Sequence, residues 1–307
     1  MKKIVFFGTP EFAAEIFDHL LQNHTPIVGV VTQPDRPKGR ALQLTPSAVK
    51  KKCPPEIPLF QPNRCSEALF LEALRNLEAD LYVVVSFGQI LPQKLLDIPP
   101  MGCINIHPSL LPKYRGATPI RRALMNGDAE TGVCIQKMVW EMDAGDLVAE
   151  TRIPLPLHMN HGELEKELCQ ISKVLLMEVL GKFQAGVPDG KSQDRALVTF
   201  APKLSPEEMK IDWTRSALEI HNQVRGLAPQ PGAWCLMEMG GESKRLKILR
   251  SELVEQEGTP GELLSRKQFI IGCGKKALRL LEVQPEGKAR MSGDEWLRGL
   301  RALPTFL

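Results

Sequence analysis

Leu81–Val85 is the most apolar run of the chain, and its five residues make a strand rather than a buried helix. A run with no polar face must be covered on both sides, as the central strand of a parallel sheet is. The flanking sequence alternates in the way such a sheet requires. Lys3–Phe7 is a short apolar run ended by a Gly-Thr-Pro turn, and Glu11–Leu21 carries Phe12, Ile16 and Leu20 at helical spacing. Ile27–Thr32 reads as a second buried strand. Ser66 is placed to cap a helix through Asn76 with Leu69, Ala73 and Leu77 on one face. Cys103–His107 is a further strand, and Gly132–Val139 and Leu147–Thr151 are more alternating ones. Asn160 and Glu163 form a capping-box pattern that opens a long helix to about Ala185, stopped by Gly186. This βαβα order predicts an α/β fold with a mostly parallel sheet covered on both faces.

The pattern changes after Val187, where Pro188, Asp189, Gly190, Ser192 and Gln193 are turn formers without periodicity. The expected division is a domain over 1–189, a linker over 190–205 and a second domain over 206–307. Ser205-Pro206-Glu207-Glu208 has the signature of a helix start, so a helix is expected from there to about Arg225. Trp234–Met239, Leu246–Ser251, Phe269–Cys273 and Ala277–Val283 then read as short β-runs between glycine-rich turns, the pattern of a small barrel. Ser292 is set to cap a last short helix.

Composition bounds the function. The 307 residues are ordinary for two globular domains, and a net charge of +3 permits a nucleic-acid partner without arguing for one. The seven cysteines are scattered with no CxxC pair, so neither a disulfide frame nor a zinc knuckle is indicated. The apolar start is cut short by Gly8-Thr9-Pro10-Glu11, too early for a signal peptide, and no run approaches a membrane span. A soluble cytoplasmic protein, monomeric and not associated with membranes, is expected. GxGxxG is absent after the first strand, which argues against a nicotinamide site, and there is no P-loop. His158 and His161 lack a well-spaced third ligand, so no metal is expected.

In an open parallel sheet, ligands gather at the carboxyl ends of the strands. Three polar features belong there. Asn105 and His107 share one side of their strand, with Ile106 on the other. Asp143 lies in the turn Met142-Asp143-Ala144-Gly145-Asp146, and Ser86–Pro92 leaves the Leu81 strand. A carboxamide, an imidazole and a carboxylate suit acyl chemistry: Asn can steady an oxyanion, His can exchange a proton near neutrality, and a carboxylate can orient the ring. Spacing alone leaves a structural reading open, because a lone histidine after a strand is more often structural. Asn105 can likewise be a turn former and Asp143 a loop cap.

The run Asn105-Ile106-His107-Pro108-Ser109-Leu110-Leu111-Pro112 with Arg115-Gly116, followed by Asp143-Ala144-Gly145-Asp146, resembles the signature of the folate-dependent formyltransferases. The likeness implies that Asn105, His107 and Asp143 are catalytic and that the formyl donor is 10-formyltetrahydrofolate. It also implies that Ser109, Leu110, Leu111 and Pro112 line the folate site. The loop of Ser86, Phe87, Gly88, Gln89, Ile90, Leu91 and Pro92 would hold the pterin through backbone groups.

Phe7–Ala13, Thr32–Pro37, Tyr114–Ile120 and Lys203–Trp213 extend the resemblance nearly end to end. It is strongest to the members that formylate methionine on charged initiator tRNA for translation initiation. That implies a Rossmann-like catalytic domain followed by an OB-fold-like one, and a loop over Pro34–Pro46 that holds the tRNA acceptor end through Arg36, Lys38 and Arg40. Ala41, Leu42 and Gln43 stand where relatives often carry more lysines, which implies either weaker phosphate binding by this loop or binding borne mainly by Lys38, Arg40 and the more distant Lys50–Lys52. The His107-Pro108 form also occurs in relatives that act on nucleotides, which lack the C-terminal domain. Lys244, Arg245, Lys247, Arg250, Lys275, Lys276 and Arg279 read either as a solvated face or as a phosphate track. Two rival readings stand beside tRNA formylation: formylation of a sugar-nucleotide amine, and a non-catalytic RNA-binding protein.

Overall fold

The computed structural model describes residues 2–38, 43–300 and 302–307. The chain divides into two units, the first comprising 1–116, 132–153 and 166–200, the second 117–131, 154–165 and 201–307.

The first unit is built on a seven-stranded sheet. From one edge its strands are Leu147–Pro154, Glu130–Lys137, Cys103–His107, Leu81–Val85, Ile4–Gly8, Ile27–Val31 and Leu59–Phe60. Leu81–Val85 is the middle strand, buried along its whole length and parallel to both neighbours, as its unbroken apolar sequence requires. Glu130–Lys137 runs antiparallel to Cys103–His107, with Asn105 opposite Gln136 and His107 opposite Cys134. That one reversal sets the site, because paired residues on neighbouring strands project to the same face. Phe6, Phe7, Phe17 and Tyr82 are fully buried in the core, each contributing about 1.5–3 kcal/mol of apolar burial.

The Ser66 helix differs from the expectation. It spans Ala68–Asn76 with Glu67 at the cap position and no side-chain cap, and the Glu67 carboxylate instead accepts the Arg64 N–H at 2.8 Å. Phe70, Leu71 and Leu74 form the buried stripe, while Leu69 is 82% exposed. The larger stripe packs beside Tyr82, Phe87 and Leu91 and fixes the rotation of the helix. The Asn160–Glu163 capping box is present in both directions, at 3.0 and 3.1 Å, and opens the helix His161–Ala185.

The second unit curls an antiparallel sheet in the order Ile270–Gly272, Ala277–Pro285, Glu242–Val254, Ala233–Met239, Thr305–Phe306. Register shifts between Ile248 and Ser251 bend the long central strand. Its core holds Trp213, Ile220, Phe269, Trp296 and Phe306. The expected helix over 206–225 is broken in two. Glu207–Met209 is a single 3-10 turn, and the α-helix begins only at Ala217. The first start signal is real, since Glu208 accepts the Ser205 N–H at 2.9 Å. Asp212 then accepts from the backbone and hydroxyl of Thr214, making a turn that drives Trp213 into the core. Ser216 and Glu219 supply the capping box of the true helix. Ser292 caps Gly293–Arg298 as expected.

Candidate active site

The carboxylate of Asp143 is the hub of the site. Its Oδ1 accepts from Gln136 Nε2 at 2.9 Å and from Asn105 Nδ2 at 3.3 Å. Its Oδ2 accepts the Gly116 N–H at 2.8 Å and lies 3.7 Å from Nδ1 of His107. Every hydrogen-bond partner is an N–H donor, which is the set an ionised carboxylate accepts. Asn105 and His107 reach the hub because they project from the same face of the strand, as the alternation predicted.

His107 is 4% exposed, and its Nε2 is 2.9 Å from the carbonyl oxygen of Tyr114. A carbonyl only accepts, so Nε2 carries the hydrogen and Nδ1, facing Asp143, is the nitrogen left to gain or release a proton. Tyr114 has φ = 66° and Gly116 φ = 121°. This left-handed segment turns the Tyr114 carbonyl onto the imidazole and the Gly116 N–H onto the carboxylate.

Gly145 has no room for a side chain, since a Cβ there would lie 1.7 Å from the carbonyl oxygen of Lys137. The turn that carries Asp143 is thereby pressed against the Glu130–Lys137 strand.

Among the described residues no activated nucleophile stands beside the imidazole. Cys134, the register partner of His107, has its thiol pushed up to about 12 by burial. Ser109 is fully buried and its hydroxyl donates to the Lys113 carbonyl at 2.7 Å. Neither group is therefore set up to form a covalent intermediate.

The Ser86–Pro92 loop borders a cavity of about 410 Å³, lined in part by Gly88, Ile90, Arg36, Arg64 and Trp140. Ser86 and Gly88 have positive φ, and the Phe87 carbonyl is pinned by the Thr9 hydroxyl at 2.8 Å and Gln33 Nε2 at 3.2 Å. Ile90 is 79% and Trp140 64% exposed at the cavity, whereas Phe87 and Leu91 point into the core. Gln89 turns its amide inward, accepting from the Cys65 N–H and donating to the Pro62 carbonyl. Ser109 and Leu111 are buried, Leu110 and Pro112 are half-buried, and the four lie outside the residues that line this cavity.

Arg36 is exposed on a short antiparallel hairpin pairing Arg36–Lys38 with Gln43–Thr45. Lys38 belongs to that strand, and Arg40 lies outside the described residues. In the second unit several expected cations already have partners: Arg250 with Glu163, Lys276 with Glu255 and Arg279 with Asp294. Arg245 stacks 4.0 Å over the ring of Trp234. Among the described residues no group of three or more His, Cys, Asp or Glu could hold a metal ion, and no helix is long and apolar enough to cross a membrane.

The sequence did not point to Gln136 or Gln193 as site residues, and it marked Tyr114 and Gly116 only as part of the resemblance, without a role. For Gln136 the signal available was a polar side chain buried after the apolar run Val133–Ile135.

The formyl transferase family matches residues 1–180, and the formyl transferase C-terminal domain matches 203–301. The methionyl-tRNA formyltransferase of Protochlamydia amoebophila is 47% identical over 302 residues, covering 97% of this chain and 95% of that protein. The enzyme of the same name from Symbiobacterium thermophilum is 44% identical over 306 residues, covering 97% and 93%. The fold is also that of the N-formyltransferase from Helicobacter canadensis, with a TM-score of 0.68 at 17% identity over 93% of this chain and 100% of that one. HypX from Aquifex aeolicus, crystallised with tetrahydrofolic acid, has a TM-score of 0.66 at 19% identity, over 98% of this chain and 48% of its own. The family match over most of the chain and the near-full-length relatives agree: the chain belongs to the methionyl-tRNA formyltransferase family.

Proposed function

We propose that the chain transfers the formyl group of 10-formyltetrahydrofolate to the amino group of methionine on charged initiator tRNA, giving formylmethionyl-tRNA for translation initiation. The observation that carries the reading is the convergence of Asn105, His107 and the Asp143 carboxylate in a chain whose relatives bear this activity.

The donor supplies an activated formyl carbon, and the residues present suit its binding. The Ser86–Pro92 loop offers backbone groups at a cavity whose walls include Trp140 and Ile90, surfaces for flat rings, and whose lining carries Arg64, a partner for an anionic tail.

As the methionine amine adds, negative charge grows on the formyl oxygen. An amide nitrogen has two N–H groups, so Asn105 can keep its bond to Asp143 and still donate to that oxygen. His107, with Nε2–H fixed on the Tyr114 carbonyl, would donate from Nδ1 when protonated. Asp143 would orient the charged ring and accept the proton that the amine sheds; as the C–N10 bond breaks, N10 would leave with its electron pair and take up that proton from Asp143, so that the carboxylate is restored. Burial of Cys134 and Ser109 supports direct attack over a covalent relay.

The exposed Arg36, with Lys38 and Arg40 of the same loop, is the proposed contact with acceptor-end phosphates. A monomer in the cytoplasm fits this role, and seven free cysteines are in keeping with a reducing compartment.

The test is formyl transfer from 10-formyltetrahydrofolate to charged initiator tRNA, run beside a sugar-nucleotide amine. Transfer to the tRNA that collapses in His107→Ala supports the proposal. Transfer only to the sugar nucleotide, or near-normal turnover by His107→Ala, sinks it.

A further inference from the structure

Asp143 is a non-glycine residue at φ = 51°, a conformation that costs roughly 1–2 kcal/mol and must be held by its surroundings. Much of the holding comes from one side chain fifty residues further along the chain, in a stretch whose composition reads as a linker. Gln193 Nε2 donates to the carbonyl oxygens of Asp143 and Gly145, both at 2.8 Å. Its Oε1 accepts from Arg115 Nε at 3.2 Å and Nη2 at 2.9 Å. Arg115 is 4% exposed, and its Nη1 donates to Glu141 at 3.0 Å. The backbone around Gln193 is laid against the same turn: Lys191 and Leu147 exchange two hydrogen bonds of 2.8 Å, and the Ser192 hydroxyl donates to Asp146 at 3.0 Å.

We propose that Gln193 is a positioning residue for formyl transfer, tying the Asp143 turn to the buried guanidinium of Arg115 so that the carboxylate faces His107. The inference rests on the reading of Asp143 and His107 given above. A carboxamide is the side chain this place requires. Two carbonyl oxygens need N–H donors on one side, and a guanidinium needs an acceptor on the other. Arg115 is followed directly by Gly116, whose N–H binds the Asp143 carboxylate, so one anchor fixes both the backbone of the turn and the direction of its side chain. Gln193 touches no reacting atom; it acts only through the placement of Asp143.

Two variants of the full chain separate positioning from simple structural support. Gln193→Ala removes both sides of the tie. Gln193→Glu keeps the length and the acceptor for Arg115 but sets an acceptor against the two carbonyls. In transfer from 10-formyltetrahydrofolate to methionyl-tRNA, both variants should lose about a hundredfold in kcat. KM for each substrate should stay within about twofold, the pattern of a group that matters only in the transition state. If Gln193 merely gives Arg115 a partner, Gln193→Glu retains wild-type kcat, and that result overturns the inference. A loss seen in KM alone overturns it too. Should Gln193→Ala fail to fold, Gln193→Glu decides the matter. A wild-type chain that transfers no formyl group overturns the underlying reading and this inference with it, whereas active wild type beside fully active Gln193→Glu overturns this inference alone.

Discussion

His107 is held between an acceptor that fixes its tautomer and a carboxylate that faces its other nitrogen: Nε2 is 2.9 Å from the Tyr114 carbonyl oxygen, and Nδ1 is 3.7 Å from Asp143 Oδ2. The arrangement makes the Asp143 carboxylate irreplaceable by its own amide. In Asp143→Asn an NH₂ group must meet one of the N–H donors of Gly116, Gln136 or Asn105, leaving a buried donor unpaired. We expect kcat to fall about 10²–10⁴-fold, the range lost with a general acid–base group, and stability to drop by about 1–3 kcal/mol. Single-turnover formyl transfer and urea unfolding measure the two; a variant within a few-fold of wild-type turnover would remove Asp143 from the chemistry.

Gly145 sets how closely the Asp143 turn approaches the neighbouring strand. A methyl group there would collide with the Lys137 carbonyl oxygen, which belongs to backbone and has no rotamer by which to yield. Gly145→Ala should lose about 2 kcal/mol or more and most of its transfer activity. Gly181 lies within the long helix, and a methyl group added to it would meet nothing within 4 Å. Gly181→Ala should therefore gain up to about 1 kcal/mol and keep full activity. Chemical denaturation of the pair checks both signs.

The Asn105–His107 pair was legible because a strand has period two, and the strand itself because Cys103–His107 is short, apolar and ends in polar chemistry. Asp143 owed its place beside Asn105 and His107 to the resemblance, and by spacing it was legible only as a turn carboxylate. Its partners were not, because they come from tertiary pairing. Gln136 is placed by the register opposite Asn105, the Tyr114 carbonyl and Gly116 N–H by left-handed backbone, and Gln193 by a segment without periodicity. The broken helix after Ser205 shows the same limit. Both start signals were present, at Ser205–Glu208 and Ser216–Glu219, and the Asp212–Thr214 turn, with Trp213 buried in the core, separates them.

Trp140 presents a largely exposed indole to the cavity beside the Ser86–Pro92 loop. An exposed side chain of that size contributes little to the core, so its removal should leave stability within about 0.5 kcal/mol. If the donor's rings lie against it, Trp140→Ala should raise KM for 10-formyltetrahydrofolate about tenfold, as for the loss of an aromatic contact worth roughly 1–1.5 kcal/mol. Because the contact is made equally in ground and transition states, kcat should not change. Steady-state kinetics with the donor varied at saturating tRNA makes the measurement, and an unchanged KM would take Trp140 out of the donor site.

His161 gives the second unit a pH dependence of definite sign. It is buried at the first turn of its helix, and its pKa is lowered to about 3, first by burial and then by the nearby Arg121 cation. The positive end of the helix dipole opposes an imidazolium in the same sense. Folded His161 therefore stays neutral down to about pH 3, while in the unfolded chain it takes up a proton near its ordinary 6.5. Between those values the unfolded state binds the extra proton. Stability from this residue is thus complete above pH 6.5 and declines as pH falls, by up to about 1.4 kcal/mol per pH unit. His161→Gln keeps a polar side chain of similar reach and removes the titration. Any cost of that substitution is constant with pH, so urea unfolding at about pH 7, 6 and 5 should show the variant gaining on wild type at each step down. Parallel stability curves would mean that the imidazole finds a way to charge inside the fold.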